Sequence, residues 1–435
     1  MSTHDCCWAA LSNIIVLEKI FKNLNARELN GCSRVCKLWR DEAVKAKCSR
    51  RQMRWHSFFC EHNTADEEWW SSVNSYFLDC PIEPRAVMMF CTEFLWSCVM
   101  QPPKLKKKKR RKSVDLMDFY RFSLPKNCSV HITVTDGIIA TDESMKTQEY
   151  EDRERVMSLV MFGDYAGVEL VPFSCKHAEC QVMQNHWAGS SSAVPAPLQK
   201  LKKKEVKMIN LYCPVSGIDQ EIGYSFFRMF DRPLIAGGYV NEKFVKDASG
   251  KFNSSSCDIT MSGVAICGED VQVASVLIRD EVETEPEVDA VIKQLTQYDF
   301  PLDSSLGLMY ACVGRGTHVY NGAENVESKI FRKYFPNTPL LGFFGNGEIG
   351  CSYSPVDPLH MPWKRKSVVL SESGDGGGAE GEEDVEEDSV LSNAQLKRQM
   401  EEMRRKDIEY RLKHPPKLLH AYTTVMCLVS LPKPR

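Results

Sequence analysis

The chain has 435 residues, enough for two or three domains, and its 43% hydrophobic and 26% charged residues are ordinary for a folded protein. A net charge of −3 supplies no global field that argues for nucleic acid, and no apolar run reaches the length of a membrane span. The opening MSTHDCCWAA has no basic stretch ahead of an apolar run, so no secretory signal is expected, and the 18 cysteines follow no framework spacing and read as reduced thiols.

Residues 12–46 predict two or three short helices. Ile14, Leu17, Phe21 and Leu24 fall at helical spacing, Ile15, Val16 and Ile20 broaden the stripe, and Leu29, Cys32, Cys36 and Trp39 form a second one. Ser12 or Asn13 can cap the first helix, and Asn23-Leu24-Asn25 makes a natural stop. So small a unit has more apolar surface than it can hide, which implies either a partner or the corner of a larger core. In the connector at 57–127, Trp69, Trp70, Tyr76 and Phe77 join Trp55 and Phe58 as aromatic residues dense enough to be packed. The run PPKLKKKKRRK at 102–112 then reads as a solvated linker or, through Lys106, Lys107, Lys108, Lys109, Arg110 and Arg111, as a nuclear import signal.

From residue 128 the pattern is mixed α/β. Two strands are expected across a tight turn at Asp136-Gly137, then strands at 156–162 and 168–173, and a polar surface insertion at 181–207. A strand at 207–213, a helix at 218–229 and a strand at 233–240 follow, then a hairpin of 263–267 with 271–278 and an amphipathic helix at 286–298. A strand at 306–313, a helix carrying Val326, Ile330 and Tyr334, and a strand at 340–344 complete a strand–helix–strand order that argues for a layered sheet. Residues 371–390 hold nine acidic and no basic side chains and cannot bury a core, while 391–413 reads as a charged helix with a thin stripe of Leu396, Met400, Met403 and Tyr410. The strand-like end, LLHAYTTVMCLVSL, makes 363–416 an insertion ahead of the last strand.

Three motifs invite chemistry. GNGEIG at 345–350 matches the dinucleotide-binding glycine pattern, but CSYSP follows where a helix N-terminus should face the pyrophosphate, so the glycines are read as a tight turn. ACVGRG at 311–316 offers Cys312 as a nucleophile, yet no histidine lies between His186 and His318. Cys175, His177, Cys180 and His186 are metal-capable at a spacing that fits no zinc module, and neither metal nor cofactor is expected.

I-F-K-N-L, E-L and V-C-K-L-W-R, placing Phe21, Leu24, Leu29, Val35, Cys36, Trp39 and Arg40, closely resemble the F-box, with Asn13-Ile14 in place of the usual opening Leu-Pro. ACVGRG, FRKYFPNTPLLGFFGNGEIGC and HAYTTVMCLVSL resemble the C-terminal half of the family that joins an F-box to a FIST domain. The resemblance implies a small all-α F-box (12–56), a connector, and a layered α/β FIST domain with a mixed sheet, its parts at 128–260 and at 261–362 with 417–431. It further implies a non-catalytic substrate receptor of a ubiquitin ligase, in the cytoplasm and nucleus. Leu17, Phe21, Leu24, Leu29, Val35 and Trp39 would bind Skp1, with cullin-1 and a RING subunit as further partners and chromatin or transcription regulators as targets. Cys312, Gly314, Arg315, Gly316, Asn346 and Glu348 are the candidates for substrate or ligand binding, and a ligand-sensing FIST domain is the alternative function.

Overall fold

A computed structural model of the chain describes residues 11–50, 52–61, 66–97, 123–151, 154–214, 218–247, 252–254, 259–353 and 413–432, with a few isolated positions besides. The expected import run at 102–112 and almost all of the acidic and helical insertion lie outside the described residues. By contacts the chain divides into residues 1–353 with 417–435 and residues 354–416.

The order opens with helices α1 (Ile14–Phe21), α2 (Ala26–Cys32) and α3 (Lys37–Cys48). Strand β1 (Met53–Phe59), helix α4 (Asp66–Leu78) and strands β2 (Ala86–Thr92), β3 (Ser129–Thr135), β4 (Gly137–Thr141), β5 (Thr147–Tyr150), β6 (Val156–Phe162) and β7 (Glu169–Lys176) follow. Then come α5 (His177–Trp187), β8 (Val206–Pro214), α6 (Gln220–Met229), β9 (Leu234–Val240), β10 (Glu242–Lys246), β11 (Phe252–Ser254), β12 (Ile259–Cys267) and β13 (Gln272–Ile278). The last are α7 (Glu285–Ile292), β14 (Ser305–Cys312), α8 (Gly316–Val319), α9 (Val326–Tyr334), β15 (Leu340–Gly345), β16 (Glu348–Gly350), β17 (Leu419–His420) and β18 (Thr424–Ser430).

These strands form three six-stranded sheets, in the orders β1-β6-β2-β3-β10-β11, β7-β12-β8-β9-β16-β17 and β13-β18-β14-β15-β4-β5. Each sheet has one parallel pair at its centre, β2 with β3, β8 with β9 and β14 with β15, and antiparallel pairs outside it. The sheets exchange strands in a ring. After β3 the chain crosses into the third sheet as β4, after β9 into the first as β10, and after β15 into the second as β16. The three crossing points meet at Asp136, whose carboxylate accepts from Asn241 Nδ2 at 2.8 Å and from Asn346 Nδ2 at 2.9 Å.

Alternation along each strand explains the layers. On β14, Leu306, Leu308 and Tyr310 enter a core shared by all three sheets, beside Tyr212 of β8, Phe343 of β15 and Phe90 of β2. Met309 and Ala311 point the other way, under α7 and α9, with Ile292, Ile330 and Phe331. The first sheet is covered likewise by α4, through Trp69, Trp70, Val73 and Phe77. Strands buried on both faces need near-continuous apolar runs, and every residue of β2, β6, β14 and β18 is buried.

Four expectations are corrected. Residues 128–141 are no hairpin, since β3 pairs with β2 and β10 whereas β4 pairs with β5 and β15. Residues 263–278 are no hairpin either: β12 lies in the second sheet and β13 in the third. A short hydrophobic strand pair separated by a turn signals a hairpin locally, but the turn here redirects the chain into another sheet. The span 181–207 is not a surface insertion, because Met183 of α5 and Leu198 and Leu201 are buried. The span 57–127 is no connector: it supplies the last three residues of β1 and all of β2 to the first sheet and α4 to the layer that covers it, and its aromatics pack there as expected.

Candidate functional site: the N-terminal helices and the loop after β14

Asn13 caps α1 by accepting from Ile15 N–H at 2.9 Å, and Asn25 with Glu28 forms a reciprocal capping box at the start of α2. Leu17, Phe21 and Leu29 close on Ala43 of α3, and Phe21 meets Trp39 edge-to-face at 5.5 Å. Arg50 gathers the carbonyls left over where α1 ends, donating to Phe21 O at 2.9 Å and Leu24 O at 2.6 Å, and it also reaches Pro81 O. With Ala26 N–H on Cys80 O at 3.0 Å and Lys47 Nζ 3.6 Å from the Glu83 carboxylate, the helical trio is fastened to the α/β body.

This core sorts the residues expected to bind a partner. Leu17 and Leu29 are 0% and Phe21 1% exposed, so they hold the trio together and are not available as contacts. Leu24 and Trp39 are half-buried, and Trp39 Nε1 is engaged by Leu11 O at 3.0 Å. Val35 alone of the six is open, at 62%. The exposed apolar side chains are instead Ile15 at 65%, with Ile14 and Ile20 on α1, Val35 in the turn between α2 and α3, and Val44 on α3. Its signal in the sequence is the width of the first stripe: one helix face cannot bury Ile14, Ile15, Leu17, Ile20 and Phe21 together.

The second group of candidates separates. Cys312 ends β14 and lies against the Glu348 carboxyl of β16, whose Oε2 accepts from Thr423 N–H at 3.1 Å and Oγ1 at 2.8 Å. Burial pushes the Glu348 carboxyl up to about 7. Burial and then the neighbouring Glu348 raise the Cys312 thiol, which opposes the thiolate that nucleophilic chemistry needs. Arg315 is 1% exposed and is engaged by Glu327, with Nε at 3.0 Å and Nη2 at 2.9 Å from Glu327 Oε1 and Nη2 also on the Tyr320 hydroxyl. Gly314 passes under the Tyr422 ring, which an added Cβ would meet at 2.9 Å. Gly316 has φ 52° and abuts the Glu151 carboxylate. Asn346 is exposed and serves the Asp136 crossing point. The turn reading of GNGEIG is what the backbone adopts, since Glu348–Gly350 is strand β16 and not a helix start.

Residues 14–44 match the F-box domain family model, and residues 248–351 match that of the FIST C domain. The chain carries an F-box followed by a FIST C domain. It is similar to F-box only protein 22 of Homo sapiens and of Pongo abelii, at 29% identity over 357 residues, spanning 78% of this chain and 85% of each relative. Among solved structures it aligns to a cyanuric acid hydrolase from A. caulinodans with a TM-score of 0.30 and 8% identity, over 67% of this chain and 93% of that one. A likeness that weak carries no argument. The F-box match spans α1, α2 and most of α3, and it carries the exposed isoleucines and Val35.

Proposed function

We propose that the protein is the substrate-recognition subunit of a Skp1–cullin-1–F-box ubiquitin ligase, with Skp1 on the F-box and target proteins on the FIST body. The observation that carries this reading is the exposure of Ile14, Ile15, Ile20 and Val35 on a helical trio whose own core is filled by Leu17, Phe21, Leu29 and Ala43. Several exposed large apolar side chains on so small a unit point to an interaction site. The chain itself does no covalent chemistry in this reading: it raises the effective concentration of target lysines near the E2 bound to the RING subunit. The raised thiol of Cys312 and the absence of a histidine between His186 and His318 both speak for that assignment. Residence in cytoplasm and nucleus rests on the basic run Lys106–Arg111 alone.

Co-purification tests the ligase reading: tagged full-length chain recovers Skp1 and cullin-1, and the Ile15→Asp, Val35→Asp variant loses both while keeping its thermal midpoint. Equal recovery by the two proteins overturns it. Replacement of residues 106–111 by serine and glycine is expected to shift a fluorescently tagged chain out of the nucleus; an unchanged distribution removes the import role.

A further inference from the structure

The seam between α3 and the α/β body holds an open cavity of about 330 Å³, a volume within the range of small-molecule sites. Helix α3 lines it with Val44 and Cys48, the stretch between α4 and β2 with Ile82 and Arg85, and the turn after β6 with Asp164 and Ala166. Gln52, 6% exposed, ties these walls together. Its Nε2 donates to Lys47 O at 2.8 Å and Arg50 O at 3.0 Å, and its Oε1 accepts from Asp164 N–H at 3.2 Å. Its carbonyl accepts from Gly163 N–H at 2.7 Å, and a Cβ on Gly163 would meet Gln52 Oε1 at 2.2 Å, so only glycine allows this approach. The cavity is therefore formed before anything enters it.

Lys47, Glu83, Arg85 and Asp164 bring four charges to the cavity, and only Arg85 has donors to spare. Lys47 Nζ donates to Asn30 Oδ1 at 2.9 Å and lies 3.6 Å from Glu83, to which Asn30 Nδ2 also donates at 3.4 Å, so that pair is closed. The Asp164 side chain is 81% exposed and keeps its water. The Arg85 side chain is half-buried, and its charged partner among the described residues is Asp164 at 3.8 Å, beyond hydrogen-bond reach. The end of α3 does not favour a cation here, because Ser49 takes the carbonyls of Lys45 and Ala46 and Gln52 that of Lys47.

We propose that this cavity binds a small monocarboxylate with an apolar body, its carboxylate on the Arg85 guanidinium and its body against Val44, Ile82 and Ala166. Charge complementarity selects the anion: a guanidinium fork pairs a carboxylate through two parallel N–H donors, which the solvated Asp164 at 3.8 Å does not engage. The apolar part of the lining selects the body, since Val44 is 48% exposed and gains cover from an occupant. The volume selects the size, a single ring or short alkyl chain rather than a helix or strand of a partner protein. An occupant touches α3 of the F-box and two loops of the body at once.

Alkylation of the exposed Cys48 thiol on the cavity wall reads occupancy in the full chain, with Cys36, exposed but outside the cavity, as internal reference. Phenylbutyrate is the probe and the neutral phenylbutanamide its control. For a dissociation constant of about 1 mM, about 10 mM phenylbutyrate is expected to slow iodoacetamide labelling of Cys48 about tenfold and to leave Cys36 unchanged. The amide on the wild-type chain, and phenylbutyrate on an Arg85→Gln chain, are expected to bind at least about tenfold more weakly. Undiminished labelling of Cys48 overturns the proposal. So does equal protection by the amide, whether or not the variant folds, equal protection of a folded Arg85→Gln chain, or parallel slowing at Cys36. None of these readouts involves Skp1, so the ligase reading is tested separately.

Discussion

Replacing Ile15 by aspartate separates a docking role from a folding role for the F-box helices. Ile15 is 65% exposed, so in the free chain the substitution should change stability by no more than about 0.5 kcal/mol. If Skp1 covers the side chain, burial of an isoleucine contributes about 1.5–3 kcal/mol, and a carboxylate placed there adds a desolvation cost. The dissociation constant should therefore rise at least about 10- to 100-fold for Ile15→Asp, with a comparable loss for Val35→Asp. Phe21→Ala is the contrast. Phe21 is 1% exposed and packs on Trp39, so its truncation costs about 3–5 kcal/mol of folding free energy and abolishes binding by loosening the trio. The assay pairs calorimetric titration of Skp1 into the full chain with thermal unfolding of each variant. Weakened binding at an unchanged midpoint is expected for Ile15→Asp, and weakened binding at a lowered midpoint for Phe21→Ala. Wild-type affinity in both aspartate variants, with their fold intact, would refute the assignment of these side chains.

Three further expectations concern the α/β body. Gly316→Ala forces a side chain into the left-handed region against the Glu151 carboxylate and should lower stability by about 1–2 kcal/mol, read by chemical denaturation. Asp136→Ala removes the acceptor shared by Asn241 and Asn346 at the three strand crossings and should cost about 1–3 kcal/mol, whereas Asp136→Asn, which keeps one acceptor oxygen, should cost less. The Glu348 carboxyl, raised to about 7, stabilises the fold below its ordinary value of about 4.5 and loses that contribution as pH rises to about 7. Glu348→Gln should accordingly flatten the fall in thermal midpoint between pH 5 and pH 8, and an undiminished fall would remove Glu348 as its source.

The sequence by itself determined most elements and the family resemblance. Period-3.6 stripes located α1, α6 and α9, and long apolar runs located β6, β8, β14 and β15, because those signals are local and arise from the residues that form each element. It also showed that residues 12–46 carry more apolar surface than they can hide. Which of those residues stay outside was decided by packing: Leu17, Phe21 and Leu29 fill the trio's core, and that leaves Ile15 and Val35 to the surface. Sheet membership likewise had no local signal. A strand buried on both faces accepts a partner from anywhere in the chain, so nothing near Asp136-Gly137 distinguishes a hairpin from a crossing into a second sheet. Only the tertiary structure placed the three crossings together at Asp136, and only it brought Glu149 from an edge strand to the start of a helix nearly 180 residues later in the chain.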